Sequence, residues 1–152
     1  MSKTLIYGYG NPGRQDDGIG ARFVELVDAW IAKEHIQNVF TDSNYQLNVE
    51  DSVLIADYDS VIFVDASVAD IESYKLEEVL PDNATIEFTM HAVSTAYVLD
   101  LCRKLYNKNP RTYVLHVKAY EFDFVEDLTP QAVQNLHAAF EFIKAFVLKE
   151  MQ

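Results

Sequence analysis

The sequence predicts an α/β protein. It reads as a three-layer sandwich, with a mostly parallel, twisted sheet of about five strands carrying helices on both faces. Three observations carry this reading. Short apolar runs alternate with longer runs of helical period along the whole chain. The run Val61-Ile62-Phe63-Val64 is apolar without alternation, as a central parallel strand covered on both faces requires. A glycine-rich turn joins the first apolar run to the first amphipathic one.

The elements follow in order. Residues 4 to 9 predict a first strand buried on both faces. Residues 18 to 33 predict a helix, with Ile19, Phe23, Leu26, Val27, Trp30 and Ile31 on its apolar stripe. Val39-Phe40-Thr41 starts a second strand that ends near Asp42-Ser43-Asn44, and a short helix is expected from Asn48 to Ala56. Ser60 to Asp65 is the clearest strand. Tyr74 to Val79 alternates only in part, which suits a sheet edge, and Pro81-Asp82-Asn83 signals a turn. Val93 to Tyr106 predicts a helix with Val93, Ala96, Tyr97, Leu101 and Leu105 on one face. Thr112 to Val117 is another strand. Thr129-Pro130 reads as an N-cap followed by proline at the first helical position. The last helix then runs to about Lys149, with Val133, Leu136, Phe140, Ile143 and Val147 inward.

The 152 residues suffice for one domain with a full core, and no repeat, low-complexity tract or linker divides residues 1–152. Hydrophobic residues make up 49% and charged residues 24%, the balance of a soluble globular protein. No apolar run is long enough to span a bilayer, so no membrane insertion is expected. No charged-then-apolar signal segment precedes the first strand, so the expected location is cytoplasmic. The single cysteine, Cys102, excludes an internal disulfide and a cysteine-based zinc site. The net charge of −12, from 24 acidic and 12 basic residues, argues against nucleic acid. It is compatible with metal ions or a basic peptide.

In an open parallel sheet, ligands bind beyond the carboxyl ends of the strands. Asp16 and Asp17 lie in the loop after the first strand, Asp65 ends the Val61–Val64 run, and His91 precedes a predicted helix. Two carboxylates and an imidazole can converge at one rim in this arrangement. Carboxylate oxygen with imidazole nitrogen suits a divalent transition metal such as zinc or nickel. Each residue has a plainer reading. Asp16 and Asp17 stand next to a glycine, where aspartate is common as a turn or cap residue. Acids at a strand end sometimes cap the next turn. His35, His116 and His137 read as structural histidines, Cys102 as a packing residue, and Ser94 lacks a second motif that would make it a nucleophile.

The spacing Gly8-x-Gly10-x-x-Gly13 matches a dinucleotide fingerprint, but Pro12 interrupts the loop. Asp16 and Asp17 would repel phosphate at the helix start, and no Walker lysine is present, so no nucleotide is expected.

The loop resembles the opening motif of the hydrogenase maturation proteases, in Gly8-Tyr9-Gly10-Asn11-Pro12 and Asp16-Asp17-Gly18-Ile19-Gly20. Val61 to Ala66 resembles the family's second strand-end acid, and Met90-His91-Ala92-Val93-Ser94 its histidine segment. Leu128-Thr129-Pro130 is also similar. The likeness spans nearly the whole chain. The second acid of this motif is glutamate in some members and aspartate, Asp17, here. Asp42 to Leu47 lacks the paired glycines of some members.

The resemblance implies an endopeptidase that removes the C-terminal extension of a nickel–iron hydrogenase large-subunit precursor. It places the metal contacts on Asp17, Asp65 and His91. It implies that the nickel arrives with the precursor and acts as the recognition signal. Water attack assisted by that metal is the expected chemistry, with Asp17 or Asp65 as base and Asp16 as a possible helper. A non-catalytic nickel-sensing or chaperone module for the same precursor uses the same residues. A dinucleotide-binding enzyme is the third reading.

Overall fold

The computed structural model describes residues 2–80 and 93–151. The first apolar run forms β1 (Thr4–Tyr9), and a 3-10 turn, Gln15–Gly18, leads into α1 (Ile19–Glu34). Next come β2 (Val39–Asn44), α2 (Asp51–Ile55) and β3 (Ser60–Ser67). After them lie β4 (Tyr74–Val79), α3 (Thr95–Tyr106), β5 (Arg111–Lys118) and α4 (Pro130–Glu150). The strands form one sheet in the order β2-β1-β3-β5-β4. All neighbours are parallel except β4, which runs antiparallel to β5 at the sheet edge.

The pleat sends alternate residues to opposite faces, and each face has its own core. Ile6, Ile62, Val64, Leu115 and Val117 meet Phe23 and Val27 of α1 and Leu136 and Ile143 of α4 on one side. Leu5, Tyr7, Val61, Phe63 and Val114 meet Ile55 of α2 and Val98, Leu99 and Cys102 of α3 on the other. The three-layer α/β reading therefore holds.

The strand order reverses direction at β1. The chain moves outward from β1 to β2, then crosses back to β3 on the other side of β1. A crevice opens at such a switch point, beyond the strands' carboxyl ends.

Several local expectations differ from the structure. The buried stripe of α3 is Val98, Leu99 and Cys102, whereas Leu105 is 63% exposed. Ser94 sets this phase: its Oγ accepts the Tyr97 N–H at 3.1 Å, so the helix begins at Thr95. Val133 of α4 is exposed, while Leu136, Ile143 and Val147 are buried as expected. The second helix is shorter than Asn48–Ala56, because the Asp51 carboxylate accepts from the Asn48 N–H at 2.8 Å and so closes the preceding turn. At Thr129, the side chain caps α4 by accepting from the Ala132 N–H, and Pro130 opens the helix as expected.

Candidate functional site

The glycine-rich loop is shaped by close packing against the helix that follows it. A Cβ on Gly8 would lie 2.1 Å from the Gly20 carbonyl oxygen, so α1 starts directly against β1. Gly10 has φ +137°, and a Cβ there would lie 2.1 Å from the Asp17 carbonyl oxygen. Only glycine permits this exit from the strand. The loop's backbone donors are already engaged. Gly10 N–H donates to Asn44 O at 3.1 Å, Asn11 N–H to Asp17 Oδ2 at 2.7 Å, Gly13 N–H to Asn11 Oδ1 at 2.9 Å, and Arg14 N–H to Asn11 O at 3.0 Å.

The two neighbouring acids of this loop separate into different surroundings. Asp16 is fully buried. Its Oδ2 accepts from Tyr120 N–H at 2.9 Å, Glu121 N–H at 3.1 Å and the Thr129 hydroxyl at 2.8 Å. Its Oδ1 accepts the Thr129 N–H at 2.8 Å. Asp16 thus ties the first loop to the segment between β5 and α4, and it does not line the cleft. Gln15 N–H adds a bond to Val125 O at 2.7 Å, and Gln15 holds a left-handed φ of 51°.

Asp17 is partly exposed and lines the cleft, with the Asn11 N–H holding one of its oxygens. The cleft measures about 770 Å³ and lies at the switch point. Asp65 of β3 lines it from the sheet floor. Burial pushes the Asp65 carboxyl up to about 6. His116 opposes this rise, the Asp17 charge adds to it, and a hydrogen bond with Tyr9 opposes it. Burial first, and then the Asp65 charge, hold the Tyr9 phenol well above its usual range.

The structure therefore brings Asp17 and Asp65 to one cleft. His91 lies outside the described residues, as does the turn at Pro81-Asp82-Asn83. Among the described residues, no three His, Cys, Asp or Glu side chains are grouped to hold a metal ion by themselves. Ser94 also lines the cleft, but its hydroxyl oxygen serves as the α3 cap. His35 ends α1 in the left-handed conformation, His137 is exposed on α4, and Cys102 is buried among apolar groups.

Two residues at the cleft stand out beyond the sequence reading. Tyr9 stands beside Asp65 at the end of β1, and His116 is the register partner of Asp65 on β5. A strand-end signal was present in both cases. Tyr9 ends β1, and His116 lies two residues before the end of β5, at the same rim as Asp65.

The architecture is an α/β fold shared with solved hydrogenase maturation endopeptidases. The hydrogenase maturating endopeptidase HybD from E. coli superposes with a TM-score of 0.76, covering 97% of this chain and 93% of its own, at 22% sequence identity. The [NiFe] hydrogenase maturation protease HycI from Thermococcus kodakarensis KOD1 gives a TM-score of 0.71, with 97% and 94% covered, at 18% identity. A hydrogenase 2 maturation peptidase from Thaumarchaeota archaeon SCGC_AB-539-E09 gives 0.67, with 97% and 99% covered, at 18% identity. At these identities the likeness is one of fold. No protein-family model matches the chain, and no curated protein does.

Proposed function

We propose that this chain is an endopeptidase of hydrogenase maturation, which removes the C-terminal extension of a nickel-loaded large-subunit precursor. One observation carries the proposal. Asp17 and Asp65 reach a single cleft at the switch point of a fold shared with solved maturation endopeptidases over nearly its whole length.

The nickel belongs to the substrate. Asp17 and Asp65 offer it carboxylate oxygens, and His91 is assigned as the nitrogen ligand on its sequence motif. Asp17, Asp65, Glu77 and Glu78 give the cleft an acidic lining that suits a cation. In the cutting step, Asp65 takes a proton from water, and the water oxygen adds to the scissile carbonyl. The carbon–nitrogen bond then breaks, and the proton passes to the leaving amine. Burial makes the Asp65 carboxylate a stronger base than a free one, which suits it to this work. Asp17 would supply the second carboxylate to the nickel. Asp16 is assigned a structural role, because four hydrogen bonds occupy its carboxylate.

The dinucleotide reading loses support from the loop itself. Its N–H groups at Gly10, Asn11, Gly13 and Arg14 are already bonded within the protein, and Asp17 stands where a phosphate would approach. Among the described residues, no helix is long and apolar enough to cross a membrane.

The test is the intact mass of a nickel-loaded precursor after incubation with the wild type and with Asp17→Asn. The proposal expects loss of a short C-terminal peptide with the wild type only. Binding without any mass change favours the non-catalytic module. Full processing by Asp17→Asn contradicts the site assignment.

A further inference from the structure

Two side chains flank Asp65 on its own face of the sheet, and neither belongs to the ligand set above. Tyr9 follows Gly8, the register partner of Val64, and so stands beside Asp65 from the β1 side of the same cleft. The Tyr9 ring is packed edge-on against Phe63 at 6.3 Å and tilted against Tyr7 at 6.4 Å, which restricts where its hydroxyl can go. His116 stands in register with Asp65 on the adjacent parallel strand. Register partners in parallel strands point to the same face, roughly 4.8 Å apart. The far side of the imidazole is backed by β4, where Glu77 Oε1 lies 3.6 Å from Nε2.

Tyr9, Asp65, His116 and Glu77 therefore make one polar row across four strands. Directly beneath it, the same face is apolar, with Tyr7, Phe63 and Val114 in the core. The packing of that core does not call for a polar row, and half-burying polar groups costs free energy unless they are paired. All four residues line the cleft.

We infer that Tyr9 and His116 are positioning residues for Asp65. Tyr9 fixes one carboxylate oxygen from the β1 side by donating its hydroxyl proton. His116, braced by Glu77, limits the carboxylate on the β5 side. The remaining lone pairs of Asp65 then aim into the cleft. This inference rests on the proposed function, in which Asp65 is the working acid.

The test measures kcat and KM for cleavage of nickel-loaded precursor by the full chain, beside melting temperature. The variants are Tyr9→Phe, His116→Ala and His116→Gln. Removing the groups that orient a working side chain typically lowers activity by about tenfold to a hundredfold. The inference expects a kcat loss of that size in Tyr9→Phe and in His116→Ala, with KM within about twofold of wild type. His116→Gln, which keeps a side-chain donor, recovers most of the rate. Wild-type kcat in both Tyr9→Phe and His116→Ala overturns the inference and leaves the proposed function standing. A loss in only one of them overturns the assignment of the other. A rate loss that merely follows a fall in melting temperature marks a structural role and also overturns it. A wild-type chain that never cuts the precursor removes the proposed function, and the inference with it.

Discussion

Truncating Asp16 to alanine tests how the first loop is held. The wild-type carboxylate accepts four hydrogen bonds. Two donors, the N–H groups of Tyr120 and Glu121, belong to exposed residues, and water can replace the carboxylate there. The other two, the N–H and hydroxyl of Thr129, belong to a residue only 4% exposed. Each buried donor left without a partner costs about 1–3 kcal/mol. The pair therefore sets a loss of about 3 kcal/mol for Asp16→Ala. For a domain of this size each kcal/mol moves the melting temperature by about 2–4 °C, so the expected fall is about 6–12 °C. Asp16→Asn keeps one acceptor oxygen but turns an amide donor toward other donors, and loses about 2 kcal/mol. Urea titration followed by Trp30 fluorescence measures both, with the slope against urea unchanged. A loss below about 0.5 kcal/mol in Asp16→Ala, the level of an ordinary surface substitution, would refute the reasoning.

Three further predictions concern the cleft. Asp65 titrates at about 6 in the native state against 3.8 when unperturbed, so between these values the native state holds the extra proton. This group's contribution to stability therefore falls as pH rises from about 4 to about 6, and its ionised form opposes folding above that range. Two units correspond to about 3 kcal/mol, which solvent access to the cleft reduces to about 1–2 kcal/mol. Asp65→Asn is thus expected to be more stable than wild type by that amount at pH 7.5, with the gap closing below pH 4 in urea titrations. On the proposed role of Asp65 as base, the cutting rate falls as the pH drops and its carboxyl is protonated. Ser94→Ala removes the α3 cap, lowering stability by about 1 kcal/mol, and leaves kcat unchanged. A lost cut in a folded Ser94→Ala chain would point to a serine nucleophile.

Most of the fold was legible because its signals are local. The apolar run at Val61–Val64, the partial alternation at Tyr74–Val79 and the Thr129-Pro130 start are each set by residues within one turn or strand. The buried stripe of α3 was not. Periodicity alone offered a face through Val93 and Leu105, and the cap at Ser94 together with packing against α2 selected Val98, Leu99 and Cys102 instead. At the cleft, the strand-end position pointed to Asp65, and the loop motif pointed to Asp17, with its neighbour Asp16 as a possible helper. Their separation into a buried tie and a cleft acid depends on Thr129, which lies 113 residues from Asp16. Contacts of that range leave no periodic trace. His116 carried a weaker signal of its own. It lies near the end of a strand beside Asp65, but that adjacency exists only once β3 and β5 are paired.

The most direct measurement sets two forms of one precursor side by side. Hydrogenase large-subunit precursor, with and without nickel, is incubated with the purified chain, and both are weighed by intact mass spectrometry. On the proposed function the nickel arrives with the substrate and completes the ligand set of the Asp17–Asp65 cleft, so the nickel-loaded form is expected to lose its C-terminal extension and the nickel-free form to keep its full mass. Equal cutting of the two forms, or cutting of neither, would contradict the account.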